Sequence, residues 1–374
     1  MSKAEYKRLG DYIRPIDVRN RELKVTNLLG VSISKEFMPS IANTIGTDMS
    51  VYKIVERGQF AYGPVTSRNG DKVSIALLND YDNAIISQAY TVFEVIDHNA
   101  LSPEYLMMWF KRPEFDRYAR FHSHGSAREI FDWNELSDVL LPVPSIEEQR
   151  RIVSEYQTVE QRIQNNKQLI KKLEDTAQAI YNHTFVEGID EENLPKGWRT
   201  GILSDIADIV MGQSPDGETY NLDGEGMIFY QGRTDFGWRF PTVRMFTTAP
   251  TRYAKEGDIL MSVRAPVGDL NICVEDCCIG RGLAAICEKQ HNNSFLYYLL
   301  LSKKDVFKQS DAEGTIFGSI NKDALYKLPI IIPDVQSVMQ FNANVKKIDD
   351  YIMLLSRELN HLYSLLSLLN SKLS

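Results

Sequence analysis

Residues 152–180 read IVSEYQTVEQRIQNNKQLIKKLEDTAQAI, and residues 341–369 read FNANVKKIDDYIMLLSRELNHLYSLLSLL. In the first stretch Ile152, Tyr156, Val159, Ile163, Asn166, Ile170, Leu173, Ala177 and Ile180 follow at spacings that alternate between four and three. In the second, Phe341, Val345, Ile348, Ile352, Leu355, Leu359, Leu362, Leu366 and Leu369 keep the same spacing and phase. Seams this regular over about four heptads predict supercoiled helices rather than helices laid on a globular core. Asn166 is the polar member of its seam, where the second copy has Leu355. Such a residue either fixes helix register or is a tolerated gap.

The repeat extends upstream of the helices. Shifting the sequence by 189 residues places Gly125 on Gly314, Leu136 on Leu325, Val139 on Leu328, Leu141 on Ile330, Val143 on Ile332 and Pro144 on Pro333. Weaker echoes follow. Leu9-Gly-Asp-Tyr12 matches Leu203-Ser-Asp-Ile206, and Gly58-Gln-Phe-Ala-Tyr62 matches Gly257-Asp-Ile-Leu-Met261 as a turn into a buried strand. Leu101-Ser-Pro-Glu-Tyr-Leu106 matches Asn293-Ser-Phe-Leu-Tyr-Tyr298 as a helix start with an N-cap serine. The runs at 73–78, 90–96 and 258–263 are rich in β-branched and aromatic residues and alternate with short helical patterns. Each half is therefore a mixed α/β domain, and the whole is of α+β class. The acidic, turn-forming stretch from Glu187 to Gly197 marks the linker between halves. The expected boundaries are residues 1–144, 145–186, 187–333 and 334–374: domain, helix, domain with its leading linker, helix.

A lone heptad helix exposes its seam and needs a partner. The expected partner is the other copy in the same chain, in an antiparallel coiled coil with a pseudo-two-fold axis. The seam from Ile152 to Ile180 spans 29 residues, about 43 Å at ~1.5 Å per residue. That length is a ruler between the two domains.

Composition narrows the function. The chain has 374 residues, 43% hydrophobic and 25% charged, which excludes bulk disorder. Its 42 Lys+Arg against 50 Asp+Glu exclude a general nucleic-acid coat but permit local basic patches. No run approaches 18 apolar residues, and the first 14 residues have no signal-peptide core. No membrane association and a cytoplasmic location are expected.

Leu140-Leu-Pro-Val-Pro-Ser-Ile-Glu-Glu-Gln-Arg-Arg-Ile152, running into the heptad helix, resembles the conserved region of type I restriction–modification specificity subunits. So does Leu194-Pro-Lys-Gly-Trp198 followed by Leu203-Ser-Asp-Ile206 and Gly212-Gln-Ser-Pro215, an opening of their target-recognition domains. The resemblance covers essentially the whole chain. Two departures stand out. Val338 occupies the second-copy position of Gln149, and the first domain lacks the Pro-x-Gly-Trp lead-in. The resemblance implies two target-recognition domains, each reading half of a bipartite double-stranded DNA site. It implies that the helices set the spacing and dock two methyltransferase subunits, with motor-nuclease subunits as further partners. S-adenosylmethionine would then belong to the methyltransferase, with no cofactor and no catalysis in this chain. A tandem coiled-coil adaptor without DNA binding is the alternative.

The motifs agree with a non-catalytic chain. There is no Gly-x-x-x-x-Gly-Lys-Ser/Thr loop, no Asn/Asp-Pro-Pro-Tyr/Phe and no His-Glu-x-x-His. Gly280-Arg-Gly282-Leu-Ala-Ala285 fits Gly-x-Gly-x-x-Ala without a clearly placed acidic residue ~20 positions on. Cys273, Cys277, Cys278 and Cys287 lack paired C-x2-C spacing and read as buried small hydrophobes, so no metal is expected. His122 and His124 read as surface or phosphate-contacting residues.

DNA reading needs cations for phosphates and amide or guanidinium donors for base edges. In the first half the candidates are Tyr62, Ser67, Arg68, Asn69 and Lys72 at a hairpin tip, with His124 and Arg128 in a basic loop. In the second they are Gln213, Ser214, Gln231, Arg233, Thr234, Arg264 and Arg281, with Arg239, Arg244 and Arg252 adding charge. Loops 123–128 and 313–319 repeat between halves and suit phosphate positioning. Loops 64–72 and 211–235 differ and suit base reading.

Overall fold

The structure, a computed structural model, describes residues 5–40, 46–67, 70, 72–125, 129–307, 319–371 and 373. It divides into one compact unit of Met1–Asn166 with Glu358–Ser374 and another of Lys167–Arg357. Two long helices, Ile146–Phe185 and Val335–Ser371, each contribute a portion to both units. No helix among the described residues is long and apolar enough to cross a membrane.

The first unit is built on a four-stranded antiparallel sheet in the order Ile13–Ile16, Thr91–Val95, Phe60–Gly63, Ser74–Leu77. The second holds the same order: Ala207–Met211, Leu283–Glu288, Ile259–Ser262, Leu270–Ile272. A glycine at positive φ turns the chain into the matching inner strand each time, Gly58 at 85° and Gly257 at 87°, where a side chain would be strained. A two-stranded pair closes each unit, Tyr6–Arg8 with Leu140–Pro142 and Arg199–Ile202 with Pro329–Ile332. The second unit adds a five-stranded sheet in which Met227–Tyr230 runs parallel to Cys277–Ile279.

Packing explains the helices beside these sheets. Helix Pro103–Phe110 has proline in its first turn and Ser102 as N-cap, whose hydroxyl accepts from the Tyr105 N–H. Its rings join Phe60 and Phe93, which stack 4.8 Å apart in the core. The second-unit counterpart, Asn293–Ser302, differs from the sequence expectation: its N-cap is Asn292, not Ser294. Ser294 N–H instead donates to Asn342 Oδ1 at 3.2 Å. In the first unit Ser102 N–H donates to the buried Gln149 at 2.8 Å. The N-cap amide of the second unit, Asn292 N–H, donates instead to Glu288 Oε2 at 2.9 Å, so the acceptor role of Gln149 passes to a residue outside the long helix where Val338 stands in its place.

Both long helices start on equivalent caps. Ser145 Oγ accepts from Glu148 N–H, and Asp334 Oδ1 accepts from Ser337 N–H. Trp198 of the Leu-Pro-Lys-Gly-Trp segment donates its indole N–H to Asp334 Oδ2 at 3.1 Å, tying the domain entry to the helix start.

The helix portions run antiparallel within each unit. In the first, Tyr156 and Leu366 share one hydrophobic cluster, while Asn166 and Arg162 meet Glu358. In the second, Tyr181 meets Phe341 with ring centroids 5.8 Å apart, while Glu174 and Asp349 flank Arg239. Tyr156, Val159, Ile163, Asn166, Ile170, Phe341, Val345, Ile352 and Leu355 are buried; Ile152, Leu173, Ile348, Leu359 and Leu362 are half-buried. The seams serve more than helix pairing, however. Val159 and Ile163 form a cluster with Leu359, Leu362, Leu366 and Leu369, whereas Tyr156, Ala177, Phe341 and Val345 belong to the domain cores. A heptad stripe is wide enough at its ends to bury against a sheet domain as well as a partner helix.

Candidate nucleic-acid interface

In the second unit three turns meet through glycine. A Cβ at Gly212 would collide with the Gly280 carbonyl oxygen. Cβ atoms at Gly280 and Gly282 would sit 2.9 and 3.0 Å from the Gln231 carbonyl oxygen. Only glycine permits backbones to approach this closely. Hydrogen bonds complete the junction: Gly212 N–H to Leu283 O, Gln213 N–H to Ile279 O, Gly280 N–H to Tyr230 O and Arg281 N–H to Ser214 Oγ. The Gly-Arg-Gly triplet is therefore a packing device between three loops, which accounts for its glycines without a dinucleotide.

This convergence carries Gln213, Ser214, Gln231 and Arg281, with Arg233 and Thr234 next on the same turn. Gln213, Gln231, Arg233, Thr234, Arg264 and Arg281 are exposed, and Ser214 is half-buried. Arg264 joins them because Val263 N–H donates to Gly282 O at 2.9 Å. Arg233 is held by Asp269 at 2.5 Å. The turn at 231–235 is set from within by Asp235, which is buried and accepts from Gln231 N–H at 2.7 Å, Gly232 N–H at 3.2 Å and Arg244 Nε at 3.0 Å. A carboxylate with that many donors is fully satisfied, and it fixes the backbone that presents Gln231, Arg233 and Thr234. Sequence reasoning missed Asp235. The glycines flanking Gln213, Gln231 and Arg281 were the available signal.

Arg239 departs from the expectation of a surface charge. It is 1% exposed, with its guanidinium on Asp349 Oδ1 at 2.5 Å and over the Tyr297 ring at 4.5 Å. Arg244 and Arg252 are exposed, Arg244 paired to Asp235. Cys273, Cys277 and Cys278 are buried and Cys287 is half-buried, all as free thiols in the strand region.

In the first unit the two candidate loops also meet. Thr66 N–H donates to Glu129 O, Thr66 Oγ1 donates to Ser123 Oγ at 2.9 Å, and Phe131 N–H donates to Pro64 O. Bridges link Val65 and His124 to Ile130. Ser67, Lys72 and His124 are exposed. Tyr62 is a correction: it is fully buried, its ring edge-on to Phe131 at 6.3 Å. It faces the core because strand alternation points it inward from Phe60–Gly63, so it cannot reach a base edge. Burial also holds its phenol well above the ordinary tyrosine range. Both loop histidines meet one carboxylate, His122 at 3.1 Å and His124 at 3.2 Å from Glu135. Arg68, Asn69 and Arg128 lie outside the described residues, as do residues 126–128 and 313–318 of the two repeated loops.

Known proteins resemble the chain throughout. The family description "Type I restriction modification DNA specificity domain" matches residues 16–175 and again 195–361. A putative type I restriction enzyme MjaX specificity subunit of Methanocaldococcus jannaschii is 30% identical over 267 residues, 68% of this chain and 62% of that one. The type I restriction enzyme HindI specificity subunit of Haemophilus influenzae is 24% identical over 169 residues, 45% of this chain and 36% of that one. The chain thus spans less than two thirds of the length of these curated relatives. The crystal structure of a type I restriction-modification S subunit from M. genitalium covers all of this chain and 97% of its own at a TM-score of 0.69 and 14% identity, a likeness of fold.

Proposed function

The chain belongs to the type I restriction modification DNA specificity domain family, and from that premise we propose that it is the sequence-reading subunit of a DNA-modifying complex. The carrying observation is the glycine-built junction of the second unit. It gathers amide, hydroxyl and guanidinium donors on turns whose backbones are already fixed. Arginine suits guanine and glutamine suits adenine in the major groove. Gln213, Gln231 and Arg281 are the base-reading residues in this proposal. Arg264, Ser214 and Thr234 serve phosphates or bases, and Arg233 serves once Asp269 yields it. In the first unit the reading residues of this proposal are Ser67, Arg68, Asn69 and Lys72, with His124 and Arg128 as further candidates.

In this proposal each unit reads one half of a bipartite site in double-stranded DNA, and the helices set the gap. The chain performs no chemistry. Two methyltransferase subunits that bind S-adenosylmethionine dock on it, and motor-nuclease subunits complete the restriction assembly in the cytoplasm.

Methylation sequencing of DNA from cells expressing the chain with its neighbouring methyltransferase tests this, with the methyltransferase alone as control. A bipartite methylated motif that requires the chain is expected. A stable complex with active methyltransferase but no motif overturns the reading.

A further inference from the structure

We propose that Arg239 is a positioning residue for one half-site: it locks the reading turn at 231–235 to both long helices. The inference rests on the DNA-reading function proposed above. Arg239 lies on the connection between strands Met227–Tyr230 and Phe246–Thr247, the same connection that carries Gln231, Arg233 and Thr234. Its guanidinium packs among side chains of the helical layer. Nη2 donates to Asp349 Oδ1 on the second long helix at 2.5 Å, and Glu174 of the first long helix lies 3.6 Å from Nη1. Both terminal nitrogens reach the Tyr298 hydroxyl, at 3.3 and 3.4 Å.

From Arg239 back to the turn the chain is stiff. Arg239 O accepts from Ile272 N–H at 2.8 Å. Gly237 N–H donates to Phe240 O and to Asn271 Oδ1, and Asn271 returns a bond to Gly237 O. Thr242 N–H donates to Asp235 O at 2.8 Å, and Asp235 holds Gln231 and Gly232. These bonds form a continuous path from Arg239 to the turn that carries Gln231.

The choice of a charged residue supports this role. Apolar residues of equal volume often stabilise a core as well as a buried ion pair does. What the pair adds is direction, because a guanidinium accepts only a narrow set of placements relative to a carboxylate. The Nε of Arg239 has no partner among the described residues, so its hold on the helices runs through the two terminal nitrogens.

The test uses the full chain expressed with its methyltransferase, in four forms: wild type, Arg239→Gln, Arg239→Lys and Asp349→Asn. Methylation sequencing reads stringency at each base of the motif. Arg239→Gln is expected to relax one half-site, with about tenfold less discrimination against single mismatches, while the other half and the gap keep wild-type stringency. Asp349→Asn, altered on the helix, relaxes the same half, and Arg239→Lys recovers part of the loss. Hydrogen exchange supplies a readout independent of DNA: residues 231–245 exchange faster in Arg239→Gln, whereas Ala207–Met211 and Leu283–Glu288 keep their protection. Full stringency in both halves overturns the proposal. Equal relaxation of both halves, with protection lost across the unit, also overturns it and makes Arg239 a general stabiliser. If Arg239→Gln does not fold, Asp349→Asn and Arg239→Lys decide alone, and strict reading by both overturns the proposal. A wild type that gives no bipartite motif overturns the DNA-reading premise instead.

Discussion

Burial holds the Glu174 carboxyl up at about 7 from its ordinary 4.5, although the Arg239 guanidinium lies 3.6 Å away. The guanidinium is committed to Asp349 at 2.5 Å, and two carboxylates share one cation. A carboxyl raised in this way keeps its proton in the folded chain between about pH 4.5 and 7, where the unfolded chain has released it. Folding stability from this group is therefore complete below about 4.5 and is lost as pH rises through 7. Glu174→Gln is expected to flatten that limb. The difference in unfolding free energy between acidic and neutral pH should shrink by about 1–2 kcal/mol, less than the full shift because the side chain keeps solvent access. Urea unfolding of both proteins across this pH range measures it, and an unaltered limb would place the titration on another group.

Among the elements, the helix pair of the first unit turns on Asn166. Its side chain is buried, and Nδ2 donates to Glu358 Oε2 at 2.9 Å while Arg162 grips the same carboxylate at 2.7 and 3.0 Å. The polar seam position is thus satisfied across the pair, and its partner lies outside the apolar seam of the second helix. Glu358→Ala should cost about 1–3 kcal/mol, because it strands a buried amide. Adding Asn166→Leu should recover most of that loss, since replacing both partners by apolar groups removes the unsatisfied donor. Chemical denaturation of the two single variants and the double variant gives the coupling. Additive effects would show that the contact contributes little.

At the scale of the molecule the prediction concerns length. One heptad removed from both helices at paired positions shortens each by about 10 Å, or about three base pairs of B-DNA. The gap of the methylated motif should contract by that amount with both half-sites unchanged. An unchanged gap would show that helix length does not set the spacing.

The doubling of the chain, the heptad helices and the strand–turn–helix order of each half were legible in residue spacing. Periodicity is a local property, and a seam of apolar residues has few ways to be buried. The family was legible for the same reason, through Leu140–Ile152 and Leu194–Trp198. Placement of the site was not. Tyr62 and Arg239 looked like surface donors, yet strand alternation turned one into a core and Asp349, 110 residues away, drew the other into the helices. Gly280 and Gly282 read only as a weak Gly-x-Gly-x-x-Ala match, and Gly212 as part of a family motif, until the fold laid three loops against one another. Whether a polar side chain faces water or a buried partner depends on which distant elements pack beside it, and only the tertiary structure decides that.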